Sequence, residues 1–119
     1  MQTITEDYVS FEVAKLLKEK GFEQYKCPHS YNSKGVLRWS DNLDPYEYSA
    51  PSQAMAMRWL RKVYNLHVDI DPSEGDWNPT VLELEDWSCA VKPGDEIPIQ
   101  DSYEEACEAA IKYCLENLI

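Results

Sequence analysis

Alternating polar residues in the middle of the chain are the best candidates for a metal site. His67, Asp69 and Asp71 recur at every second position, which is the side-chain period of a β-strand. Residues at this spacing share one strand face about 7 Å apart, so their oxygens and imidazole can ligate Mg²⁺ or Mn²⁺. Glu83 and Glu85 can join them if a second strand pairs alongside. The alternative is a solvated face, because any half-buried strand needs polar residues here.

The cysteines offer less chemistry. They lack the C-x-x-C spacing of zinc and thioredoxin-like sites. Cys27 and His29 lie two apart, and a thiol beside an imidazole can act as a nucleophile pair. Pro28 between them favours a loop or an edge strand, and no third residue is identifiable to orient the imidazole. Cys107 and Cys114 lie about 10 Å apart on one apolar helix face, which favours buried free thiols.

Two sets of residues favour the binding of another protein. Arg58, Arg61 and Lys62 form a basic cluster that can grip an acidic partner or a phosphate. The alternative is that these charges pair with the chain's own carboxylates or stay solvated. A second set consists of amphipathic rings, which are typical of recognition surfaces but also suit the rim of a small sheet. Its members are Tyr25, Tyr31, Trp39, Tyr46 and Tyr48.

The charge of the chain is strongly asymmetric. It has 11 Lys or Arg against 22 Asp or Glu, a net charge of −11. Residues 69–119 contain only Lys92 and Lys112 against 14 acids, so nearly all the excess negative charge lies there. Negative charge opposes contact with phosphate backbones, and we therefore expect no direct binding to nucleic acid. The acidic half also permits a different function, mimicry of nucleic acid at a basic site of another protein.

Length and composition narrow the class of protein. At 119 residues, 44% hydrophobic and 28% charged, the sequence predicts one domain over residues 1–119 that needs no disulfide or structural metal. No apolar run approaches the ~18 residues that cross a bilayer, and the first residues lack the pattern of a signal peptide. We expect a cytoplasmic protein with reduced thiols and no membrane contact. Because its glycines are isolated and the established catalytic motifs are absent, we expect no cofactor and no catalytic residue.

Three helices are predicted to position these residues. The first covers about 6–20, with Thr5 as its N-cap. The second covers about 51–64, starting at a proline. The third begins at Ser102, which forms a capping box with Glu105 and precedes a long apolar stripe. The side chains of the second helix that are expected to face the core are Met55, Trp59, Leu60 and Val63.

Two strands are predicted before the second helix and two after it. The first pair, at about 24–30 and 36–40, forms a hairpin that is followed by a loop. The first strand of the second pair, 66–71, alternates apolar and polar residues. The resulting order, α-β-β-α-β-β-α, favours an α+β fold with a mainly antiparallel four-stranded sheet and helices packed against it.

The last predicted strand has an irregular pattern. It follows a predicted loop at 72–79, and Leu82 and Leu84 are expected to point inward. Beyond Asp86 the apolar residues fall on the opposite parity. A β-bulge near Asp86 would restore the phase, because it inserts one residue into a strand.

Four runs of sequence carry a resemblance to a known family. They are TEDYVS at 5–10, AKLLKEKGF at 14–22, PSQAMAMRWLR at 51–61 and SYEEACEAAIKYCL at 102–115. In these runs the chain resembles a family of short proteins without an assigned activity, found in gut Bacteroidales and in their phages and mobile elements. The resemblance covers the three predicted helices. It implies a bacterial cytoplasm, with a prophage as one setting, and it implies no activity, cofactor or catalytic residue.

These observations support three hypotheses about function. The leading hypothesis is a small non-enzymatic protein that binds another protein through the aromatic segment and the charged faces. One alternative is a metal-dependent enzyme that uses His67, Asp69 and Asp71. The other is an acidic mimic of nucleic acid. The absence of catalytic motifs favours the first, while the identity of the partner and the oligomeric state stay open.

Overall fold

The computed structural model describes residues 7–24, 28–39 and 47–119, and these residues form an α+β fold. The helices are α1 (Phe11–Glu19), α2 (Gln53–Tyr64) and α3 (Tyr103–Tyr113), and α3 continues into a π-helical turn at Cys114–Leu118. The strands are β1 (His29–Tyr31), β2 (Leu37–Trp39), β3 (Tyr48–Ser49), β4 (Leu66–Ser73), β5 (Asp76–Glu83) and β6 (Ser88–Cys89). None of the helices in this part of the chain has the length and apolar character needed to cross a membrane.

The strands form two antiparallel sheets, each three-stranded, in the orders β2-β1-β3 and β4-β5-β6. The predicted α+β class is confirmed, whereas the prediction of one four-stranded sheet is wrong. The physical reason is the length of β3 and β6. Each has two residues, which is too short to show a period of two in the sequence.

A serine hydroxyl caps each α-helix. The Oγ atoms of Ser10, Ser52 and Ser102 each accept a hydrogen bond of 3.1 Å from the backbone N–H three residues later. Such a bond satisfies one of the N–H groups that a helix leaves unpaired at its start. The N-cap predicted at Ser102 is therefore confirmed.

Helix α1 begins at Phe11, later than predicted. The residues before it are extended because they pair with the chain that enters α2. The Asp7 carbonyl accepts a hydrogen bond of 2.7 Å from the N–H of Gln53, and the next residue forms an antiparallel bridge with Ser52. The predicted start at about residue 6 is wrong at least for these positions, and Thr5 lies outside the described residues.

The predicted hairpin before α2 is confirmed in a shorter form, β1 and β2. Its turn is held by Asn32, whose Oδ1 accepts hydrogen bonds from the N–H groups of Lys34 (2.9 Å) and Val36 (3.0 Å). An asparagine side chain that binds its own backbone in this way favours a turn over a helix or strand.

The predicted loop at 72–79 is wrong, because all eight residues of β4 pair with β5 in a continuous hairpin. Its two-residue turn, Glu74 and Gly75, has φ values of 48° and 91°, and this left-handed conformation matches the twist of a tight hairpin. Val81 is fully buried and Leu82 only half-buried. The side of β5 that faces the core therefore carries Val81, and not Leu82 as predicted.

Strand β5 ends in a reversal rather than in the predicted bulge. The chain turns back over 84–87, and β6 then pairs antiparallel with β5. The N–H of Trp87 closes this turn by donating to the Glu83 carbonyl at 2.8 Å. The apolar residues beyond Asp86 do not form a core-facing stripe, because Trp87 and Cys89 are exposed, so no inserted residue is needed.

The core is formed by side chains from the three helices, the second sheet and the segment before α1. Its largest fully buried members include Leu17, Leu60, Ile111, Leu115, Val9, Val13 and Val81. Cys107 and Cys114 are also fully buried and unbonded, which confirms the prediction of buried free thiols. Burial raises the pKa of the Cys114 thiol to about 12, so this group stays neutral and behaves as a small hydrophobe.

Helix α2 is rotated relative to its predicted orientation. Gln53 and Leu60 are buried, whereas Met55 and Val63 are 47% and 55% exposed. This orientation buries Ala56 and Leu60 and lets the Gln53 Nε2 donate to the Glu104 carbonyl of α3 at 2.9 Å. The predicted inward face is therefore correct at Leu60, correct in part at Trp59, which is half-buried against the core, and wrong at Met55 and Val63.

Candidate functional site: a groove beside the second helix

A groove that encloses about 670 Å³ lies beside α2 and is the candidate binding site. Its volume falls within the roughly 300–1,000 Å³ that is usual for ligand sites. Its walls come from α2, from the chain that enters α2, from residues 20–23 and from the start of β1. The rotation of α2 turns an apolar stripe of the helix towards this groove, with two of its side chains exposed and Trp59 half-buried against the core.

One wall is that apolar stripe. Met55, Trp59 and Val63 follow one another at intervals of four, so they share one helix face, and all three line the groove. The Trp59 ring is held by edge-to-face contacts with Phe22 and Tyr64, at 5.5 and 5.2 Å between ring centroids. Apolar side chains exposed side by side mark interaction sites, since covering them removes apolar surface from water.

Tyr8 and His29, which also line the groove, belong to a stack of aromatic rings. The His29 ring lies 4.3 Å from the Tyr8 ring and 5.1 Å from the Trp39 ring, measured between centroids. His29 Nδ1 is buried and has no hydrogen-bond partner, the sole such side-chain atom in the part of the chain that the structure describes. The alternative of a nucleophile pair of His29 and Cys27 is not tested, because Cys27 lies outside the described residues.

Positive charge dominates the rim of the groove. The described lining residues include three cations, Lys20, Arg58 and Lys62, and one carboxylate, Glu23. Lys20 is engaged, since its Nζ donates to the Ile119 carbonyl at 3.2 Å. Arg58 and Lys62 are exposed, and neither forms an ion pair within the described residues. Like charges one helical turn apart repel each other, so this rim favours the approach of an anionic group.

Only two of the three residues in the predicted basic cluster line the groove. Arg58 and Lys62 lie four residues apart and line the groove, whereas Arg61 is half-buried and does not. Two members of the cluster therefore remain for a partner at this site.

The predicted aromatic segment is also divided. Tyr31 and Tyr48 pack against α1, with ring centroids 5.5 and 5.6 Å from that of Phe11. The Tyr31 hydroxyl donates to a backbone carbonyl, and burial, followed by the negative charge of Glu108, raises the Tyr31 pKa. Trp39 is 65% exposed beyond the His29 ring. The members outside the described residues are Tyr25 and Tyr46.

The candidate metal ligands lie along one face of β4. His67 and Asp69 are half-buried and Asp71 is exposed. Glu83 pairs with Leu66, so the strand register places it on the opposite face of the sheet, away from the other three. Over the described ranges, no group of three or more His, Cys, Asp or Glu residues is arranged to hold a metal ion.

Sequence periodicity alone does not reveal the groove. The stripe of Met55, Trp59 and Val63 has the spacing of a core-facing stripe, and this is how the sequence leads us to place it. A signal that could have found the groove is the second stripe beside it, Ala56 and Leu60, which competes for the core.

No protein-family model, curated protein or solved structure matches this chain. The resemblance to proteins of gut Bacteroidales and their phages therefore stays a prediction.

Proposed function

We propose that this is a non-enzymatic binding protein whose groove receives a segment of a protein partner that presents an apolar side chain next to acidic residues. One observation carries the proposal. Exposed apolar side chains, Met55 and Val63, lie on α2 beside cations that lack ion-pair partners among the described residues, Arg58 and Lys62. Apolar burial would supply affinity, and the cations would select an acidic partner.

The polar groups of the groove support binding rather than catalysis. A nucleophile needs a base within hydrogen-bonding reach. Ser52 lines the groove, but its hydroxyl already accepts the N–H of Met55 as a helix cap. The imidazole of His29 contacts aromatic rings, and its Nδ1 has no hydrogen-bond partner.

The arrangement has the parts of a protein-recognition site. In such interfaces a few apolar or aromatic anchors contribute most of the affinity, while charges at the rim affect the association rate and the choice of partner. The groove is lined by Trp59 and by the ring stack of Tyr8 and His29. Its cations without an ion pair among the described residues, Arg58 and Lys62, lie one helical turn apart. A single aromatic or aliphatic side chain flanked by Asp or Glu fits this distribution.

Selection of displayed random peptides on the immobilised full chain tests the proposal. We expect enrichment of peptides that join an aromatic or aliphatic residue to Asp or Glu. The variant Arg58→Glu/Lys62→Glu should bind these peptides at least about tenfold more weakly, because it replaces attraction by repulsion at the rim.

The matched control is Lys34→Glu/Lys92→Glu, which makes the same change in net charge at two exposed residues away from the groove. This variant should keep the affinity of the wild type, and circular dichroism should show that both variants are folded. Failure to enrich any peptide, or enrichment of peptides that bind the two variants equally, would overturn the proposal.

A further inference from the structure

The turn between β5 and β6 carries the most exposed aromatic side chain of the described residues. Trp87 is 74% exposed, and its φ of 62° lies in the left-handed region that residues other than glycine and asparagine rarely adopt. An indole in solvent contributes little to the stability of the fold, and the backbone conformation disfavours a bulky residue. Folding therefore does not account for tryptophan at this position, and such an outlier is a reason to look for a function.

Two acidic residues lie next to Trp87 in this turn. Glu85 and Asp86 precede it and are both exposed. The Ser88 hydroxyl donates to Asp86 Oδ1 at 2.6 Å and the Ser88 N–H donates to the same oxygen at 3.0 Å. These hydrogen bonds lower the pKa of Asp86, so the carboxylate is charged at neutral pH. We call residues Glu85, Asp86 and Trp87 the acidic tip.

The acidic tip has the chemistry that the groove is proposed to receive, an apolar anchor beside carboxylates. The groove has the complementary features, the exposed apolar stripe of α2 and the cations Arg58 and Lys62. We infer that the groove of one molecule receives the acidic tip of a second copy of this chain. The inference rests on the proposed function of the groove and names its partner.

The structure places the tip outside the groove of its own chain. The N–H of Leu84 donates to the Asn65 carbonyl at 2.9 Å, which holds the start of the turn at the C-terminal end of α2. Trp87 does not line the groove and remains exposed. The tip and the groove are different patches, so the contact is either reciprocal within a closed pair or repeated from copy to copy.

Sedimentation velocity of the full chain, alone and in mixtures, tests this contact. The tip variant is Trp87→Asn, because asparagine tolerates the left-handed backbone and should keep the turn folded. The groove variant is Arg58→Glu/Lys62→Glu. We expect the wild type to associate with rising concentration and each variant alone to stay monomeric. An equal mixture of the two variants should form a complex of twice the monomer mass, since one supplies an intact groove and the other an intact tip.

Two controls distinguish this contact from non-specific association. Ile99→Asn replaces another exposed apolar side chain outside the groove and should leave association unchanged. An acidic peptide selected on the groove should dissociate the wild-type assembly by competing with the tip.

The other outcomes overturn the inference. Association that persists in either variant alone would place the interface elsewhere, and two monomeric variants that fail to pair when mixed would exclude contact between tip and groove. A wild type that stays monomeric up to roughly 1 mM would exclude self-association of useful strength. If selected peptides still bind in that case, the proposed function stands without this partner, and if they do not, both proposals fall.

Discussion

The two sheets of the molecule differ in what they bury. The first sheet has strands of two or three residues, and its buried members include Ser30 and Ser49. The second sheet has two strands of eight residues and contributes Leu66, Val68 and Val81 to the core. The second sheet is therefore packed through aliphatic side chains, whereas the first combines the packing of Tyr31 and Tyr48 with buried polar contacts.

The polar contacts of the first sheet form two sets, one around Glu47 and one between Ser49 and Gln24. The Ser30 hydroxyl donates to Glu47 Oε2 at 2.8 Å, and Glu47 also pairs with Arg38. The Ser49 hydroxyl donates to the Gln24 carbonyl. Such networks fix geometry more than they add stability. The first sheet contributes His29 to the groove, and the second sheet contributes none of its described lining residues. The groove and the aliphatic core from Leu66, Val68 and Val81 therefore involve different sheets.

Removal of residues 111–119 should have the largest effect, because it tests where the core lies. The deleted segment contains Ile111 and Leu115, both fully buried beneath the second sheet and the helices. Each such side chain contributes roughly 1.5–3 kcal/mol, against a total stability of roughly 5–15 kcal/mol. We expect the truncated chain not to fold. Unchanged circular dichroism and an unchanged melting temperature would show that the core lies elsewhere.

A rise in pH should act through the buried thiol of α3. The Cys114 pKa is raised from 9.0 to about 12 because burial disfavours the thiolate. The unfolded chain loses this proton at lower pH than the folded chain, so the free energy of unfolding is unaffected below about pH 9 and falls as pH rises towards about 12. Each pH unit within that window should cost about 1.4 kcal/mol.

Urea unfolding at about pH 8 and about pH 10.5 measures this slope. We expect the wild type to lose about 2 kcal/mol over the interval, in addition to smaller losses from other buried groups. Cys114→Ala should show a shallower loss, and Cys89→Ala, at an exposed thiol, should match the wild type. Equal slopes in all three proteins would show that Cys114 is not buried in the folded chain.

Single substitutions in the two sheets compare them directly. Val81→Ala removes two methyl groups from a fully buried site, and we expect a loss of about 2 kcal/mol, including the cavity. Ser30→Ala removes one donor from the Glu47 carboxylate, and we expect a loss of about 1 kcal/mol. Urea unfolding of both variants measures the two losses of unfolding free energy, and the loss should be larger for Val81→Ala. A larger loss for Ser30→Ala would reverse the comparison.

Elements whose apolar residues repeat regularly over several turns could be predicted from the sequence. In α3 the buried residues Ala106, Ala110 and Ile111 recur at helical spacing after the cap at Ser102, so pattern and boundary agree. The two-residue strands β3 and β6 carry no period, and they form because distant residues pair with them. Their existence depends on tertiary contacts that a local pattern does not contain.

A proline in β5 explains why the second hairpin was not predicted from the sequence. Pro79 lacks an N–H group, which favours a loop at this position. In β5 the N–H of Trp77 donates to the Gln100 carbonyl and the Val81 carbonyl accepts from Ala90, so residues of this parity bond on the side away from β4. Pro79 lies between them with the same parity. Its missing N–H therefore leaves the pairing with β4 intact.

The charges of the candidate site could be predicted, but its shape could not. Arg58 and Lys62 belong to the predicted basic cluster and do line the groove. Met55 and Val63 are wrongly predicted to be buried, because helical periodicity does not distinguish between two adjacent apolar stripes. Contacts across a long separation in sequence, such as the bond from Gln53 to α3 and the packing of Leu60 in the core, accompany burial of the other stripe.

Metal addition should have the smallest effect, because His67, Asp69 and Asp71 lie on the face of the second sheet opposite to its core residues. A ligand stabilises a protein only by binding the folded state selectively. We expect Mg²⁺, Mn²⁺ or Zn²⁺ to leave the melting temperature unchanged. Free metal at 100 times the dissociation constant of a real site would add about 2.7 kcal/mol, or several degrees. Such a shift, lost in Asp69→Ala/Asp71→Ala and kept in Glu96→Ala, would make this face a metal site.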